Sequence, residues 1–461
     1  MPSKPDIKPE TELLSVTMTR TRLFSQLTLT VVTLVGLTVT LPPRINPLTV
    51  SPVFAQTQNT SKTEADRLLQ QGTQQLQRGQ IREAIESWQT SLSIYQEISD
   101  EQGVANSIVS LGIAYDNLSQ YEKAIEFYQQ ALSIYQDIGD RQGVAGSFVS
   151  LANSYDALSQ HQKAINFYQQ ALSIFQDIDY KLGEANCLLN LGLSYINLSH
   201  YDKAIELIQQ ALSIFQELGN NRGRANSINN LGLIHQHLSQ HDKAIDFFQQ
   251  SLPIYQEIGD KRGIARSLNN LGLAYSNLSQ YEKSIDFFQQ SLTLYQQIGN
   301  RQGVAGVLVN LGVAYSNLSQ YDKSIDFYQQ SLSIFQEIGD IKGLANSLMG
   351  LGIIYAKNSE YEKAIEFYQQ SLSIFQEIGD RRGEAQILGN LGMAYIQINQ
   401  YDKAVEFNQE SLSIFQEIGD KFGEFKSLYN LGLTYRALGQ EQKAREFFEE
   451  SQAIRQEIGI D

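Results

Sequence analysis

Six asparagines recur in this chain at multiples of 40 residues, and each could form hydrogen bonds through its side chain. They are Asn190, Asn230, Asn270, Asn310, Asn390 and Asn430. A carboxamide presents one acceptor and two donors, so a row of them can pair with the N–H and C=O groups of an extended peptide. The same amides could instead pair with neighbouring helices and hold the chain together. The row therefore indicates binding or packing rather than bond-making chemistry.

Histidines are the other candidates for chemistry, because His235, His237 and His241 lie close together, with His200 one 40-residue step earlier. Two of them replace tyrosines found 40 residues later, and no cysteine accompanies them, so we interpret them as packing residues rather than metal ligands. The chain has no phosphate-binding glycine loop, nucleophile elbow, HExxH or paired CxxC. We therefore expect no enzyme activity, no metal and no cofactor.

The asparagines belong to a repeat that never changes length. A leucine recurs every 40 residues from Leu111 to Leu431. Within one copy, Leu271, Gly272 and Tyr275 share one face of a helix, which we call helix A. The segment from 281 to 295 repeats the same three-and-four spacing and predicts a second amphipathic helix, helix B.

Turn signals separate the two helices. Ser279 followed by Glu282 matches a capping box, which predicts that the serine caps helix B. After helix B, a glycine is expected to adopt the left-handed conformation, and the Asp or Asn that follows is expected to cap the next helix A. These pairs are Gly259 with Asp260, Gly299 with Asn300, and Gly339 with Asp340.

The residues of each repeat resemble the tetratricopeptide repeat (TPR) signature. In one copy the matching residues are Leu111, Gly112, Tyr115, Ala124, Tyr128 and Ala131. The resemblance covers about residues 64–458, although the period is 40 rather than the usual ~34 and Gln136 replaces the usual proline. It is similar to the TPR arrays of spindle-orientation adaptors and bacterial scaffold proteins. The resemblance implies an all-α fold, an α-solenoid of ten antiparallel helical hairpins forming a right-handed superhelix.

The resemblance also implies that helix A lines a concave groove. Besides the six asparagines, the residues expected to face this groove are Asn229, Asn269, Arg266, Lys357, Lys426 and Arg436. Asp116 and Asp156 are expected on the same wall near its N-terminal end. Because the cations lie further along, charge complementarity favours a ligand with acidic residues toward the C-terminal half.

Composition limits the partners. The chain has 35 Lys and Arg against 50 Asp and Glu, a net charge of −15, which argues against nucleic acid or anionic lipid as the main partner. We therefore expect a protein or peptide partner. Cys187 is the only cysteine, so no intrachain disulfide can form, and we interpret it as a packing residue.

The N-terminal segment has its own composition. Residues 27–41 are apolar apart from threonines and one glycine and follow Arg20 and Arg22, which indicates a signal peptide in residues 1–55, cleaved after Ala55. The alternative is an uncleaved membrane anchor through residues 27–41. Residues 56–63 are expected to be a disordered linker and residues 64–461 the solenoid. The expected location is periplasmic or secreted, or membrane-anchored if the segment is retained.

Two positions depart from the repeat. Pro253 falls inside a helix B, which predicts a local bend. Asp179 and Tyr180 replace the usual Gly-Asp pair, so that junction should be the least regular.

These observations lead to two functional hypotheses. The first is a non-catalytic scaffold that binds an extended peptide segment of a partner in the concave groove. The second is a structural component of an envelope or surface assembly, which docks through the convex face or the ends of the array.

Overall fold

A computed structural model describes the backbone of residues 52–459 and the side chains of residues 59–459. Among these residues, 61–459 belong to one compact unit. The predicted signal segment at 27–41 lies outside the described residues. Among residues 52–459, no helix combines the length and the apolar character needed to cross a membrane.

The described residues form twenty α-helices and no strand. The helices are α1 (Pro52–Gln77), α2 (Ile81–Glu97), α3 (Glu101–Asn117), α4 (Tyr121–Ile138), α5 (Arg141–Ala157), α6 (His161–Asp177), α7 (Lys181–Asn197), α8 (Tyr201–Glu217), α9 (Asn221–His237), α10 (His241–Glu257), α11 (Lys261–Asn277), α12 (Tyr281–Gln297), α13 (Arg301–Asn317), α14 (Tyr321–Ile338), α15 (Ile341–Lys357), α16 (Tyr361–Glu377), α17 (Arg381–Gln397), α18 (Tyr401–Glu417), α19 (Lys421–Ala437) and α20 (Glu441–Glu457). Odd-numbered helices are the predicted A helices and even-numbered helices are the B helices.

Helix α1 begins earlier than the sequence predicts. It starts at Pro52, so residues 56–63, which were expected to form a disordered linker, are helical. Proline is well suited to the first helical position, because its missing N–H would have no partner there. Residues 53–63 include no glycine and no second proline, so no residue in this stretch is expected to end a helix.

The helices pair into ten antiparallel hairpins that stack in chain order, as the sequence predicts. Each helix packs mainly against the helices before and after it in sequence. Along the array, A helices also approach the A helix of the next hairpin, from α7 to α19, whereas the described B helices lie further apart. The A helices are therefore packed more closely along the array than the B helices.

In most hairpins a glycine of helix A faces an aromatic ring of helix B; the exceptions have Ala152, or place Gly192 against Ile208 and Gly392 against Asn408. A Cβ atom added at Gly272 of α11 would lie 2.5 Å from the ring of Phe288 in α12. A second such contact joins neighbouring hairpins, because a Cβ at Gly263 would lie 2.2 Å from the ring of Tyr255 in α10. Both rings are almost fully buried. The glycines therefore let the helices approach closely enough for the aromatic rings to fill the core.

The turn from helix A to helix B differs from the capping box that the sequence predicts. Ser279 does not cap α12; it adopts a left-handed backbone conformation with φ of 58°, and Gln280 is the N-cap, without a side-chain cap bond. The Ser279 and Gln280 N–H groups donate to the carbonyls of Ser276 and Tyr275 at 2.9 Å each. This is the Schellman arrangement, which ends helix A rather than starting helix B.

The turn from helix B to helix A follows the prediction. Gly259 adopts a φ of 67°, and the Asp260 carboxylate accepts a hydrogen bond from the Gly263 N–H at 3.0 Å. The exception is the expected one: Asp179 takes the left-handed conformation with φ of 51°, and Tyr180 provides no side-chain cap for α7.

Pro253 does not interrupt its helix. Helix α10 continues through Pro253 and has the same 17-residue length as its neighbours. The proline ring lies on an exposed position, so the carbonyl that loses its partner can be solvated. The bend that the sequence predicts there remains a prediction.

The left-handed serines can be tested by substitution. Ser319 has a φ of 58°, and glycine occupies the equivalent position in the first and last hairpins, at Gly79 and Gly439. We expect Ser319→Gly to raise the free energy of unfolding by about 0.5–1 kcal/mol, since glycine adopts this conformation without steric cost. Urea unfolding measures the change. Ser319→Ala retains the steric cost and is the control; equal stability of the two variants would contradict the interpretation.

The glycine–aromatic contact can be tested with two alanine variants. We expect Gly272→Ala to lower the free energy of unfolding by about 1–3 kcal/mol, because its Cβ would overlap the Phe288 ring. Gly306→Ala meets no atom within 4 Å and should be neutral or stabilise by up to about 1 kcal/mol. Thermal unfolding followed by circular dichroism compares the two, and effects of the same sign and size would refute the packing account.

Candidate functional site

The A helices share one register, so equivalent residues can be compared by their position in the helix. Counting from the first residue of each A helix, the row of asparagines occupies position 10, and Arg266 and Lys426 occupy position 6. Asp or Asn caps fix the start of the A helices from α9 to α19. Positions 6 and 10 of successive A helices therefore lie along one surface of the array, which we call the A-helix wall.

The A-helix wall contains a pocket where α13 lacks a side chain. At position 6 of α13, Gly306 stands where α11 has Arg266, and a Cβ atom added at Gly306 would meet no atom within 4 Å. The resulting pocket has a volume of about 360 Å³. Amides from three A helices line it, above an apolar floor: Asn269, Asn310, Asn346, Val307, Val309 and Phe335.

Two further pockets lie side by side in the C-terminal half of the A-helix wall. Their volumes are about 450 Å³ and 260 Å³, and they share Ile353 and Asn390. Lys357 and Met393 line the first pocket, together with Gln397. The second is lined by Met349, Gln386, Gly389, Lys426 and Asn430, among others. Asn390 is therefore accessible from both sides.

Three of the predicted groove asparagines are buried rather than presented on the wall. Asn229, Asn230 and Asn270 are only 0%, 8% and 5% exposed. The Asn229 side-chain oxygen accepts hydrogen bonds from Asn270 at 3.3 Å and from Ser267 at 3.2 Å. Asn229 and Asn270 thus join α9 to α11 across the seam between these helices, and for this pair the structure supports the alternative in which the amides join neighbouring helices. Asn230 is buried as well, so it is not presented on the wall either.

A second amide pair connects α11 to α13, because Asn310 donates to the Asn269 side chain at 2.9 Å. Both pairs join position 10 to position 9 of the preceding A helix. The pairing occurs where position 9 is also an asparagine; elsewhere it is apolar or glycine, as at Leu189, Met349 and Gly389. That signal was available in the sequence and distinguishes the paired Asn270 and Asn310 from the remaining four, Asn190, Asn230, Asn390 and Asn430.

The four predicted cations differ in how they are held. Arg266 is fixed by the preceding hairpin, because it donates to Asn226 at 2.7 Å and to the Tyr255 hydroxyl at 2.6 Å. Lys357 donates to the Ser316 hydroxyl at 3.2 Å. The other two lie over aromatic rings, Lys426 over Phe422 and Arg436 over Phe448. In the described part of the chain, none of the four forms an ion pair with a carboxylate.

The two acids near the N-terminal end are occupied within the protein. Asp116 accepts hydrogen bonds from Tyr128 at 2.7 Å and from Ser154 at 2.8 Å. Burial raises the pKa of Asp116, and the two hydroxyl donors offset part of that rise. Asp156 is likewise bonded to His161 and to Ser194. Both acids therefore hold neighbouring helices together.

The histidines and the cysteine take packing positions. The His235 ring stacks on Phe247 with centroids 5.2 Å apart, as Tyr275 stacks on Phe287 at 5.4 Å in the next hairpin. Cys187 is buried, and its Sγ lies 3.4 Å from the Tyr168 carbonyl. Within residues 59–459, no three His, Cys, Asp or Glu side chains come together in a way that could hold a metal ion.

Solved structures share this fold. A Rap protein complexed with Competence and Sporulation Factor is 15% identical, with a TM-score of 0.54 over 77% of this chain and 98% of that one. The STAND protein with a tetratricopeptide repeat sensor from Pyrococcus horikoshii is 15% identical, with a TM-score of 0.58 over 89% and 65%. The Rap conjugation gene regulator of plasmid pLS20, in complex with the Phr* peptide, is 16% identical, with a TM-score of 0.50 over 68% and 96%.

The sequence places the chain in a family. No curated protein matches it significantly. The tetratricopeptide repeat family matches seven overlapping stretches, residues 65–137, 143–217, 222–297, 263–337, 303–377, 343–417 and 383–457. These stretches span almost all of the helical array, and the hairpins and glycine–aromatic contacts described above are those that the repeat signature predicts. The chain therefore belongs to the tetratricopeptide repeat family.

Proposed function

We propose that this chain is a non-catalytic scaffold that binds an extended peptide segment of a partner protein along its A-helix wall. The observation that carries the proposal is the set of pockets in this wall, in which amides stand beside apolar floors. Asn310 and Asn346 line the pocket at Gly306, and Asn390 and Asn430 line the pockets further along.

The chemistry of these pockets suits an extended chain. Free carboxamides can donate to the carbonyls and accept from the N–H groups of a peptide, which requires no particular side chain. Successive side chains of an extended peptide point in opposite directions, so alternate ones can enter apolar pockets. Each amide contact contributes about 0.5–1.5 kcal/mol net, so several together can hold a flexible segment.

Two of the structural relatives support this use of the fold. The Rap protein is complexed with Competence and Sporulation Factor, and the Rap regulator of plasmid pLS20 is in complex with the Phr* peptide. Their sequence identity to this chain is low, so the proposal rests on the pockets of this chain.

We further propose that the protein acts in the periplasm or outside the cell. The support is the apolar stretch at 27–41 behind Arg20 and Arg22, which has the composition of a signal peptide. Retention of that stretch would leave the scaffold anchored to a membrane.

The different roles of the asparagines predict unequal effects of their substitution on stability. We expect Asn229→Ala to lower the free energy of unfolding by about 1–2 kcal/mol, because Asn270 and Ser267 lose a buried acceptor. Asn390→Ala should change it by less than about 0.5 kcal/mol, since that amide lines a pocket and forms no side-chain hydrogen bond with the described residues. Urea unfolding measures both, and a reversed order would contradict the assignment of seam and pocket.

Binding can be tested by selecting peptides from a random 12-residue display library against the full chain. We expect selected peptides to bind the double variant Asn390→Ala, Asn430→Ala about tenfold more weakly, because two backbone contacts are lost. Fluorescence anisotropy with the labelled peptides measures the change.

The control variant is Gln369→Ala, Gln370→Ala, which removes two exposed amides from a B helix. Its affinity should equal that of the unchanged chain. If the control loses binding while the double asparagine variant retains it, the peptide docks on the convex face, as the structural alternative requires. Failure to select any peptide would also refute the proposal.

A further inference from the structure

Two lysines of the A-helix wall, Lys357 and Lys426, are exposed and form no ion pair with a carboxylate of residues 59–459. Lys357 donates a hydrogen bond to the uncharged hydroxyl of Ser316, at 3.2 Å. Lys426 lies 4.2 Å from the centroid of the Phe422 ring. Each lysine lines one of the two adjoining pockets that share Asn390.

Cations on the neighbouring edge of the same helices are paired instead. Where α15, α17 and α19 begin, their basic residues reach carboxylates of adjacent turns. The pairs include Lys342 with Asp380 at 2.9 Å and Arg382 with Asp420 at 2.6 Å. In a chain with a net charge of −15, carboxylates are abundant. Lys357 and Lys426 differ from these edge cations because, among the described residues, neither forms an ion pair, and both line pockets where a ligand could supply the negative charge.

The ion pairs at this edge lower the pKa values of two of the carboxylates that take part in them. Burial alone would raise the pKa of Asp380 and Asp420, but hydrogen bonds from backbone N–H groups and from Lys342 and Arg382 respectively hold the pKa of each below its ordinary value. The Asp380 and Asp420 carboxylates thus already bind the backbone N–H groups of their own helices and the side chains of Lys342 and Arg382 respectively. They are not available to neutralise Lys357 or Lys426.

The two lysines and Asn390 mark a diagonal path across three A helices. Lys357 is the last residue of α15, Asn390 lies in the middle of α17, and Lys426 lies near the start of α19. Packed helices lie about 9 Å apart and rise about 1.5 Å per residue, so the path from Lys357 to Lys426 is about 24 Å long. At about 3.3 Å per residue, roughly seven residues of extended chain cover it.

We propose that this part of the A-helix wall binds an acidic extended peptide, with one carboxylate side chain near Lys357, another near Lys426, and apolar side chains between them. The apolar side chains enter the two pockets lined by Met349, Ile353 and Met393. Asn390 pairs with the peptide backbone where the path crosses α17. The inference rests on the proposed function and adds the charge and length of the ligand to it.

The test uses a focused library of nine-residue peptides with five randomised central positions. Positions 2 and 8 are both Glu, both Gln or both Lys, and the full chain selects from the three classes mixed in equal amounts. We expect the Glu class to be enriched about tenfold over the Gln class, with the Lys class lowest. Equal enrichment of all classes overturns the acidic preference but leaves peptide binding intact. If no class is enriched, both proposals fail.

Charge reversal identifies the lysines responsible. Lys357→Glu combined with Lys426→Glu should move the enrichment from the Glu class to the Lys class by about tenfold or more. The control Lys243→Glu, Lys261→Glu makes the same change in net charge at two exposed residues outside the pockets and should leave the preference unchanged. Circular dichroism confirms that both variants fold. Equal shifts in the two variants would show that net charge, rather than this site, selects the peptide.

Discussion

The contact between a glycine of helix A and an aromatic ring of helix B controls the spacing of the whole array. Within a hairpin the contact joins Gly272 to Phe288, and between hairpins it joins Gly263 to Tyr255. Each glycine allows a ring to lie where any Cβ atom would overlap it. Because the contact between hairpins recurs at every junction from Gly103 to Gly423 and the repeat has a constant length, each hairpin meets the next in nearly the same way. The A helices consequently form a regular wall whose properties depend on a few positions in each repeat.

On such a wall, the residue type at a neighbouring position determines whether an asparagine joins two helices or lines a pocket. Two asparagines on adjacent A helices close the seam by pairing with each other, as Asn229 and Asn270 do. An asparagine whose neighbour is Met349 or Gly389 has no such partner and lines a pocket instead, as Asn390 and Asn430 do. Paired amides therefore join the A helices from α9 to α13, and the accessible amides Asn390 and Asn430 lie further toward α19. One repeat sequence supplies both a stabilising section and a candidate binding section.

Much of this arrangement could be predicted from the sequence, because the leucine and glycine periodicity determines the helices and the face that each one buries. The backbone conformation of individual turns could not be predicted, because Ser279 and Glu282 fit both a capping box and a left-handed helix end. Gly79, Gly439 and Asn399 at equivalent positions favour the left-handed reading, because all three tolerate it better than most residues. The burial of Asn230, which has Leu189 in place of a preceding asparagine, also escaped prediction, because it depends on how closely successive A helices approach. Helical periodicity alone does not determine that distance.

The central claim is that the A-helix wall holds a peptide across α15, α17 and α19. A crystal structure of the full chain with a peptide selected from the library tests it most directly. We predict that the peptide is extended, that its backbone lies within hydrogen-bonding distance of the Asn390 side chain, and that its ends approach Lys357 and Lys426. A peptide bound to the B helices, or one bound to the wall as a helix without contact to Asn390, would contradict the account.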